Sequence, residues 1–342
     1  MSTFIIVEAG VNHNGSLEIA KKLIDAAVKA GADVVKFQTF RADRLVTATA
    51  SRAEYQIVNT GTNESQFEML NKLELSPEMH RELFSYCQEK NIIFMSTPFD
   101  EASVDLLDNL GMEIFKISSG EITNKPLIQH IASKMKPIIL STGMSHLGEV
   151  EKTVSWIDDI WDKLDKRPQL TILHCVSNYP ARIEDVNLNA IRTMEMAFGL
   201  PIGYSDHTMG IEAAIAAVAV GARVIEKHFT LDRDMEGPDH KASLEPKELK
   251  DMVRAIRNIE KAMGDGIKKP AKSEISTRKI ARRSLVAARD IKAGKTLLSD
   301  DILTKRPGTG IPAEFKDKIV GMQLESDISV DSVIRWEDLK HA

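Results

Sequence analysis

The sequence predicts an α/β chain, a (β/α)8 TIM barrel followed by a small β-rich domain, and three observations carry this. Eight short, mostly continuous apolar runs recur over the first roughly 260 residues, as expected for strands buried on both faces. Amphipathic segments separate them, and several stop at a glycine, as at Gly31, Gly111 and Gly221. No Gly-x-Gly-x-x-Gly turn follows the first run, which weighs against an open dinucleotide-binding sheet.

In chain order the runs cover residues 4–8, 33–38, 92–95, 114–117, 137–140, 170–174, 201–204 and 223–226. Helical periodicity falls between them, for example over residues 16–30, 77–90, 101–110 and 209–220. The barrel domain is expected over residues 1–265. A polar, lysine-rich linker is expected over 266–282, around Lys268-Lys269-Pro270. From Arg283 the pattern changes to short strands and tight turns, including Lys292-Ala293-Gly294-Lys295 and Lys305-Arg306-Pro307-Gly308. A compact domain over 283–342 is expected, at the low end of size for independent folding.

Composition narrows the classes of function. The 342 residues carry a net charge of −5, which offers no basic footprint for nucleic acid or an anionic membrane. An anionic ligand would therefore need a local basic site. The two cysteines, Cys87 and Cys175, suggest neither a disulfide framework nor a thiolate zinc cluster. No apolar stretch is long enough to span a bilayer, and the N-terminus lacks a signal-like segment. A cytoplasmic enzyme is the expectation.

Barrel active sites lie at the C-terminal ends of the strands. There the sequence places Glu8, Lys36, Thr97, Lys116, Ser119, Glu121, Ser141, Ser177, Tyr179, Ser205, His207, Glu226 and His228. Two lysines, Lys36 and Lys116, among small hydroxyls suit a phosphate beside a carboxylate. Ordinary ion pairs at strand ends are the alternative. His207 and His228 follow adjacent final strands and suit a borderline divalent ion such as Mn²⁺. Two histidines that only donate and accept hydrogen bonds fit the spacing equally well. His13 and His174 share the rim as competing ligands, and His240 sits in a later loop. Glu8, Glu121 and Glu226 are the candidate bases, with Glu8 and Glu121 better placed beyond their strand cores.

Taken in order and at their spacing, these residues resemble one family. The matching stretches include residues 8–15, Lys36-Phe37-Gln38-Thr39, Ser96-Thr97-Pro98-Phe99-Asp100, residues 116–121, His174-Cys175, residues 203–208, residues 226–230, Gly237-Pro238-Asp239 and Lys305-Arg306-Pro307-Gly308. The chain resembles the bacterial sialic acid synthases, that is, the N-acetylneuraminate synthases and their legionaminate and pseudaminate relatives. The C-terminal domain resembles their antifreeze-protein-like (SAF) domain.

The resemblance implies a divalent metal on His207 and His228, Mn²⁺ first, with Mg²⁺ or Co²⁺ as alternatives. It implies phosphoenolpyruvate on Lys36, Thr97, Lys116, Ser119, Ser141 and Ser205, with Ser177 a further contact although the family often has Asn or Thr there. It implies Glu8, Tyr179 and Asp239 near the sugar. It also implies a homodimer in which the C-terminal domain caps the partner barrel and Arg306 reaches the sugar. The expected reaction condenses phosphoenolpyruvate with N-acetylmannosamine. The alternative acceptor is a 6-deoxy-2,4-diacetamido mannose, as in legionaminate synthesis. Water would add at C2, activated by Glu8 or Glu121, and phosphate would leave by C–O cleavage. A metal-dependent aldolase or hydrolase, with Lys116 as the Schiff-base lysine of an aldolase, and a carbohydrate- or ice-binding protein are the competing readings.

Overall fold

A computed structural model describes residues 2–52, 56–57 and 64–340, so the outermost ends of the two expected domains, Met1 and residues 341–342, lie outside the described residues. Eight strands form one parallel sheet: β1 (Phe4–Gly10), β2 (Val34–Thr39), β3 (Ile93–Pro98), β4 (Phe115–Ile117), β5 (Ile138–Ser141), β6 (Leu170–Cys175), β7 (Ile202–Asp206) and β8 (Val224–His228). Their order is β3-β2-β1-β8-β7-β6-β5-β4, and β3 packs beside β4 where the ring closes. This is the predicted barrel.

The continuous apolar runs follow from burial on two faces. Ile6, Val34, Met95, Ile139, Leu173 and Val224 fill the barrel interior. Their neighbours along the strands, such as Ile5, Val7, Val35, Phe94, Tyr204 and Ile225, pack outward against the helices. Every residue in both sets is below one-tenth exposed, so no strand shows the alternation of a half-solvated sheet.

The helices start and stop where local chemistry dictates. Helix α1 (Leu17–Ala30) begins after Ser16, whose hydroxyl accepts the Ile19 N–H, and ends at Gly31 with φ 81°. After β2 the chain makes an excursion through α2 (Ala42–Leu45) and α3 (Gln66–Leu73), the latter opened by a Ser65/Glu68 capping box. Then come α4 (Pro77–Glu89), α5 (Glu101–Leu110), α6 (Lys125–Ser133), α7 (Leu147–Lys163), α8 (Asn189–Phe198), α9 (Glu212–Val220) and α10 (Pro246–Met263). Helix α9 starts later than the periodicity suggests. The Asp206 carboxylate ties up Thr208, and Gly210 turns the chain at φ 76° before helical geometry begins.

The chain divides into two compact units, Met1–Gly264 and Asp265–Ala342. The second opens with an exposed stretch that contains α11 (Glu274–Ala281). It continues with antiparallel β9 (Ser284–Ala287) and β10 (Ile302–Lys305) and the single turn α12 (Lys316–Ile319). This unit has its own core, including Leu285, Ile291, Leu297, Ile302, Ile311, Leu324 and Ile334. Its buried Asp301 is paired with Arg289 and Lys295.

One glycine tests the inner layer. A Cβ on Gly203 would lie 2.5 Å from both Leu173 Cδ2 and the Val224 carbonyl oxygen. Because a backbone atom must yield, Gly203→Ala should destabilise the barrel by about 1–3 kcal/mol. Urea denaturation measures this, and an unchanged midpoint would mean that β7 and β8 have slack at this level.

Candidate active site

The strands deliver an unusual concentration of charge to one end of the barrel. β1 ends near Glu8, β2 carries Lys36, β4 carries Lys116 and β8 carries Glu226, and all four side chains are buried. Lys36 Nζ lies 2.5 Å from Glu8 Oε2 and 3.6 Å from Glu226 Oε2, and it donates to Thr97 Oγ1 at 3.0 Å. Lys116 Nζ lies 3.6 Å from Glu226 Oε1 and donates to Ser141 Oγ at 2.7 Å. Ser205 donates to Glu226 Oε1 at 2.9 Å. Glu226 thus stands between the two lysines.

Burial and pairing set the protonation states. Burial pushes the Glu8 carboxyl up to about 7 against the pull of Lys36, and the Glu226 charge adds to the rise. Burial also opposes charge on Glu226, but Lys116 and Lys36 outweigh it and hold the carboxyl at about 2. Burial disfavours the Lys36 cation, yet Glu226 and Glu8 raise its pKa above the ordinary value. Burial lowers the pKa of Lys116, with Glu226 opposing. A ligand with carboxylate and phosphate charges can replace the two glutamates as partner for these cations.

A second group stands at the same mouth. His207 Nδ1 lies 2.6 Å from the Val176 carbonyl oxygen, so this nitrogen carries the proton and Nε2 keeps its lone pair. The His207 and His228 ring centroids are 5.5 Å apart, and Tyr179 packs 4.1 Å from the His207 ring. Burial lowers the His207 pKa to about 4 and that of His228 well below its usual range, so both rings are neutral at physiological pH. His228 Nδ1 is buried without a hydrogen-bond partner, 3.8 Å from Asp239 Oδ2. Neutral rings with available nitrogens suit a divalent ion. Among the described residues no third His, Cys, Asp or Glu completes a protein cage, so water and substrate oxygens would fill the remaining positions.

A cavity of about 440 Å³ joins the two groups. Of the residues singled out in the sequence, Glu8, Lys36, Thr97, Lys116, Ser119, Ser141, Ser177, Tyr179, Ser205, His207, Glu226 and His228 line it. Ser119 and Ser177 share a cradle around Gly143, where a Cβ would come within 2.2 Å of Ser177 Oγ and 3.0 Å of Ser119 Oγ. The Gly143 N–H donates to Ser119 Oγ at 2.9 Å. A larger hollow of about 750 Å³ opens at the N-terminal ends of the strands, around Phe4, Ile114, Pro201 and Val224. It holds no comparable cluster of charge, so chemistry, not size, selects the C-terminal mouth.

Glu121 and Asp239 do not line the cavity. Glu121 sits in a 3₁₀ turn and accepts from Asn124 Nδ2 at 2.7 Å. Asp239 is buried behind His228, and burial raises its carboxyl to about 6. Arg306 belongs to the second unit and is exposed there. The other histidines are engaged elsewhere. His174 Nε2 lies 2.7 Å from the Val186 carbonyl, His13 Nδ1 accepts from the Gly15 N–H, and His240 Nδ1 lies 2.6 Å from Thr230 Oγ1.

The sequence underweighted Glu226. Its signal was position, because it lies two residues before His228 in a strand and therefore on the same face. Gln38, which donates to Glu8 at 3.4 Å, and Phe99 stand in the matching stretches without an assigned role, and Leu45, Val46 and Leu70, which form an apolar wall with Phe99, are not singled out by the sequence. The wall comes from the excursion after β2 and from the end of β3, and no local motif announces it.

The fold and its charged mouth define a (β/α)8-barrel enzyme. The chain matches the NeuB family over residues 23–268 and the SAF domain over residues 282–340, and it belongs to the NeuB family. It is 52% identical over 333 residues to the N,N'-diacetyllegionaminic acid synthase of Campylobacter jejuni subsp. jejuni serotype O:2, covering 97% of this chain and 99% of that protein. It is 48% identical over 340 residues to the N,N'-diacetyllegionaminic acid synthase of Legionella pneumophila, covering 99% and 95%. In structure it is similar to the N-acetylneuraminic acid (sialic acid) synthetase of Leptospira borgpetersenii, crystallised with citrate. The TM-score is 0.71 at 37% identity, over 81% of this chain and 90% of that one.

The raised Glu8 carboxyl gives a signed test. A carboxyl whose pKa rises from 4.5 to about 7 in the fold contributes stability below 4.5 and loses it as pH rises through 7. Glu8→Gln removes that titration. Between about pH 5 and 8, wild type should lose stability relative to Glu8→Gln by on the order of 1–3 kcal/mol in chemical denaturation. A constant gap across the range would place the titration elsewhere.

Proposed function

We propose that this protein condenses phosphoenolpyruvate with 6-deoxy-2,4-diacetamido mannose to form N,N'-diacetyllegionaminic acid. The observation that carries the reaction type is the cavity itself, where two buried lysines among hydroxyls face a pair of neutral histidines. The sequence reading put N-acetylmannosamine first. The two legionaminic acid synthases at 52% and 48% identity favour the alternative acceptor.

Lys36 and Lys116 would hold the carboxylate and phosphate of phosphoenolpyruvate, with Thr97, Ser119, Ser141, Ser177 and Ser205 supplying hydroxyls. A divalent ion on His207 and His228, Mn²⁺ or else Mg²⁺ or Co²⁺, would polarise the acceptor aldehyde. C3 of phosphoenolpyruvate then attacks that carbon, and positive charge develops at C2. Of the two carboxylates in the cavity, Glu226 is held ionised between the lysines while Glu8 is poised near neutrality, so Glu8 would be the group to take the proton of the water that adds at C2. Collapse of the tetrahedral intermediate releases phosphate by C–O cleavage. Glu121 lies outside the cavity and Glu8 within it, which supports Glu8 over Glu121 for this role. The proposed assembly is a cytoplasmic homodimer in which the C-terminal unit caps the partner barrel and brings Arg306 to the sugar, with Asp239 and Tyr179 on the acceptor side. Its support is the family resemblance.

Product analysis decides the reaction. Enzyme, Mn²⁺, phosphoenolpyruvate labelled at the bridging oxygen and each of the two acceptors should give labelled phosphate and a faster nine-carbon product from the diacetamido sugar. A faster product from N-acetylmannosamine would reverse the acceptor assignment. Label retained in the sugar acid would overturn C–O cleavage.

The lysine roles have a separate readout. Lys36→Met or Lys116→Met removes charge-assisted contacts worth about 1.5–3 kcal/mol, so KM for phosphoenolpyruvate should rise about tenfold or more. A change confined to the acceptor KM would reassign the lysines. Borohydride trapping of pyruvate on Lys116 would mark a Schiff-base aldolase instead.

A further inference from the structure

Behind the two histidines, on the outer face of the same strands, lies an ion pair that the proposed chemistry does not use. Asp206 and Lys227 are register partners on β7 and β8, one step beyond the Ser205–Glu226 pair toward the C-terminal ends of the strands. Side chains alternate along a strand, so Ser205 and His207 face the cavity while Asp206 points outward, and Glu226 and His228 face the cavity while Lys227 points outward. Both outward side chains are completely buried.

The pair is tied to the histidines through the backbone. Lys227 Nζ donates to Asp206 Oδ2 at 2.8 Å and to the Thr208 carbonyl at 2.5 Å. Asp206 Oδ1 accepts from the Thr208 N–H at 2.9 Å, the Thr208 hydroxyl at 2.8 Å and the Tyr204 hydroxyl at 3.3 Å. The carboxylate therefore brackets His207, holding Thr208 directly after it and Tyr204 three residues before it. Lys227 fastens this bracket to β8 immediately before His228. The His207 ring is pinned separately, through Nδ1 to the Val176 carbonyl.

An apolar pair would fill the same volume without burying two charges. What the ion pair adds is direction, because each donor and acceptor fixes one atom of the neighbouring strand. A site with only two protein ligands depends strongly on such support, since its affinity rests on the spacing of those two nitrogens.

We propose that Asp206 and Lys227 are positioning residues that set the spacing of His207 and His228 and thereby the affinity of the site for a divalent ion. Neither residue touches metal or substrate. The inference rests on the two-histidine metal reading, and the test separates the two.

Mn²⁺ binding is measured directly on the full chain by electron paramagnetic resonance of the free ion, without turnover. His207→Ala serves as reference. Asp206→Asn keeps the shape and removes one charge. The double variant Asp206→Leu with Lys227→Met removes both charges and keeps apolar packing. Thr208→Val keeps both charges and drops one bond of the bracket, which guards against a charge variant that does not fold. The expected result is a dissociation constant for Mn²⁺ raised about 10- to 100-fold in the two pair variants and raised less, in the same direction, in Thr208→Val. At saturating Mn²⁺ the rate should recover to within about threefold of wild type, and KM for phosphoenolpyruvate should stay put, a split that general loss of structure would not produce. Unchanged Mn²⁺ affinity in any folded variant of the pair overturns the positioning role, provided His207→Ala loses the ion. If His207→Ala binds Mn²⁺ as wild type does, the metal reading itself fails.

Discussion

The structure depends on keeping two lysine ammoniums and two glutamates together out of water. Each isolated ion would cost several kcal/mol to bury, so the cluster is tolerable only when every charge meets an opposite one at short range. Lys116 on β4 and Glu226 on β8 are far apart in the strand order, and they meet only because the sheet closes on itself. Lys36 and Glu8 meet across adjacent β1 and β2, where their backbones are in register. Barrel closure is therefore a requirement of the electrostatics as much as of apolar packing.

The same closure divides labour between the two faces of each strand. Inner positions near the C-terminal mouth carry polar side chains, and those deeper in carry the Ile6, Met95 and Leu173 layer that seals the floor. Outer positions pack against helices, and on β7 and β8 they also hold the Asp206–Lys227 pair behind the histidines. Small residues mark the closest approaches. Gly143 leaves room for two serine hydroxyls, and Gly203 lets β7 approach β8 deep in the barrel.

Family membership and geometry contribute different things. The NeuB match and the synthases at about half identity give the family and the class of reaction. The geometry separates residues that sequence spacing had grouped together. Glu8 faces the lysines while Glu121 bonds Asn124, and His207 and His228 share a cavity while His13, His174 and His240 have partners of their own.

By itself the sequence determined the eight β–α units, the change of pattern after the barrel and most residues of the polar rim. Those features are local, since runs of apolar residues, glycine stops and the ends of strands are written in consecutive letters. Glu226 as the hub of the charge cluster, the outward placement of Asp206 and Lys227, and the wall of Leu45, Val46, Leu70 and Phe99 were decided only by tertiary structure. Which glutamate meets which lysine depends on strand order and on which side of a strand faces in. The excursion after β2 folds back over the mouth through contacts distant in sequence. Pairing energies of buried ions act through space, and the chain has to close into a barrel before they exist.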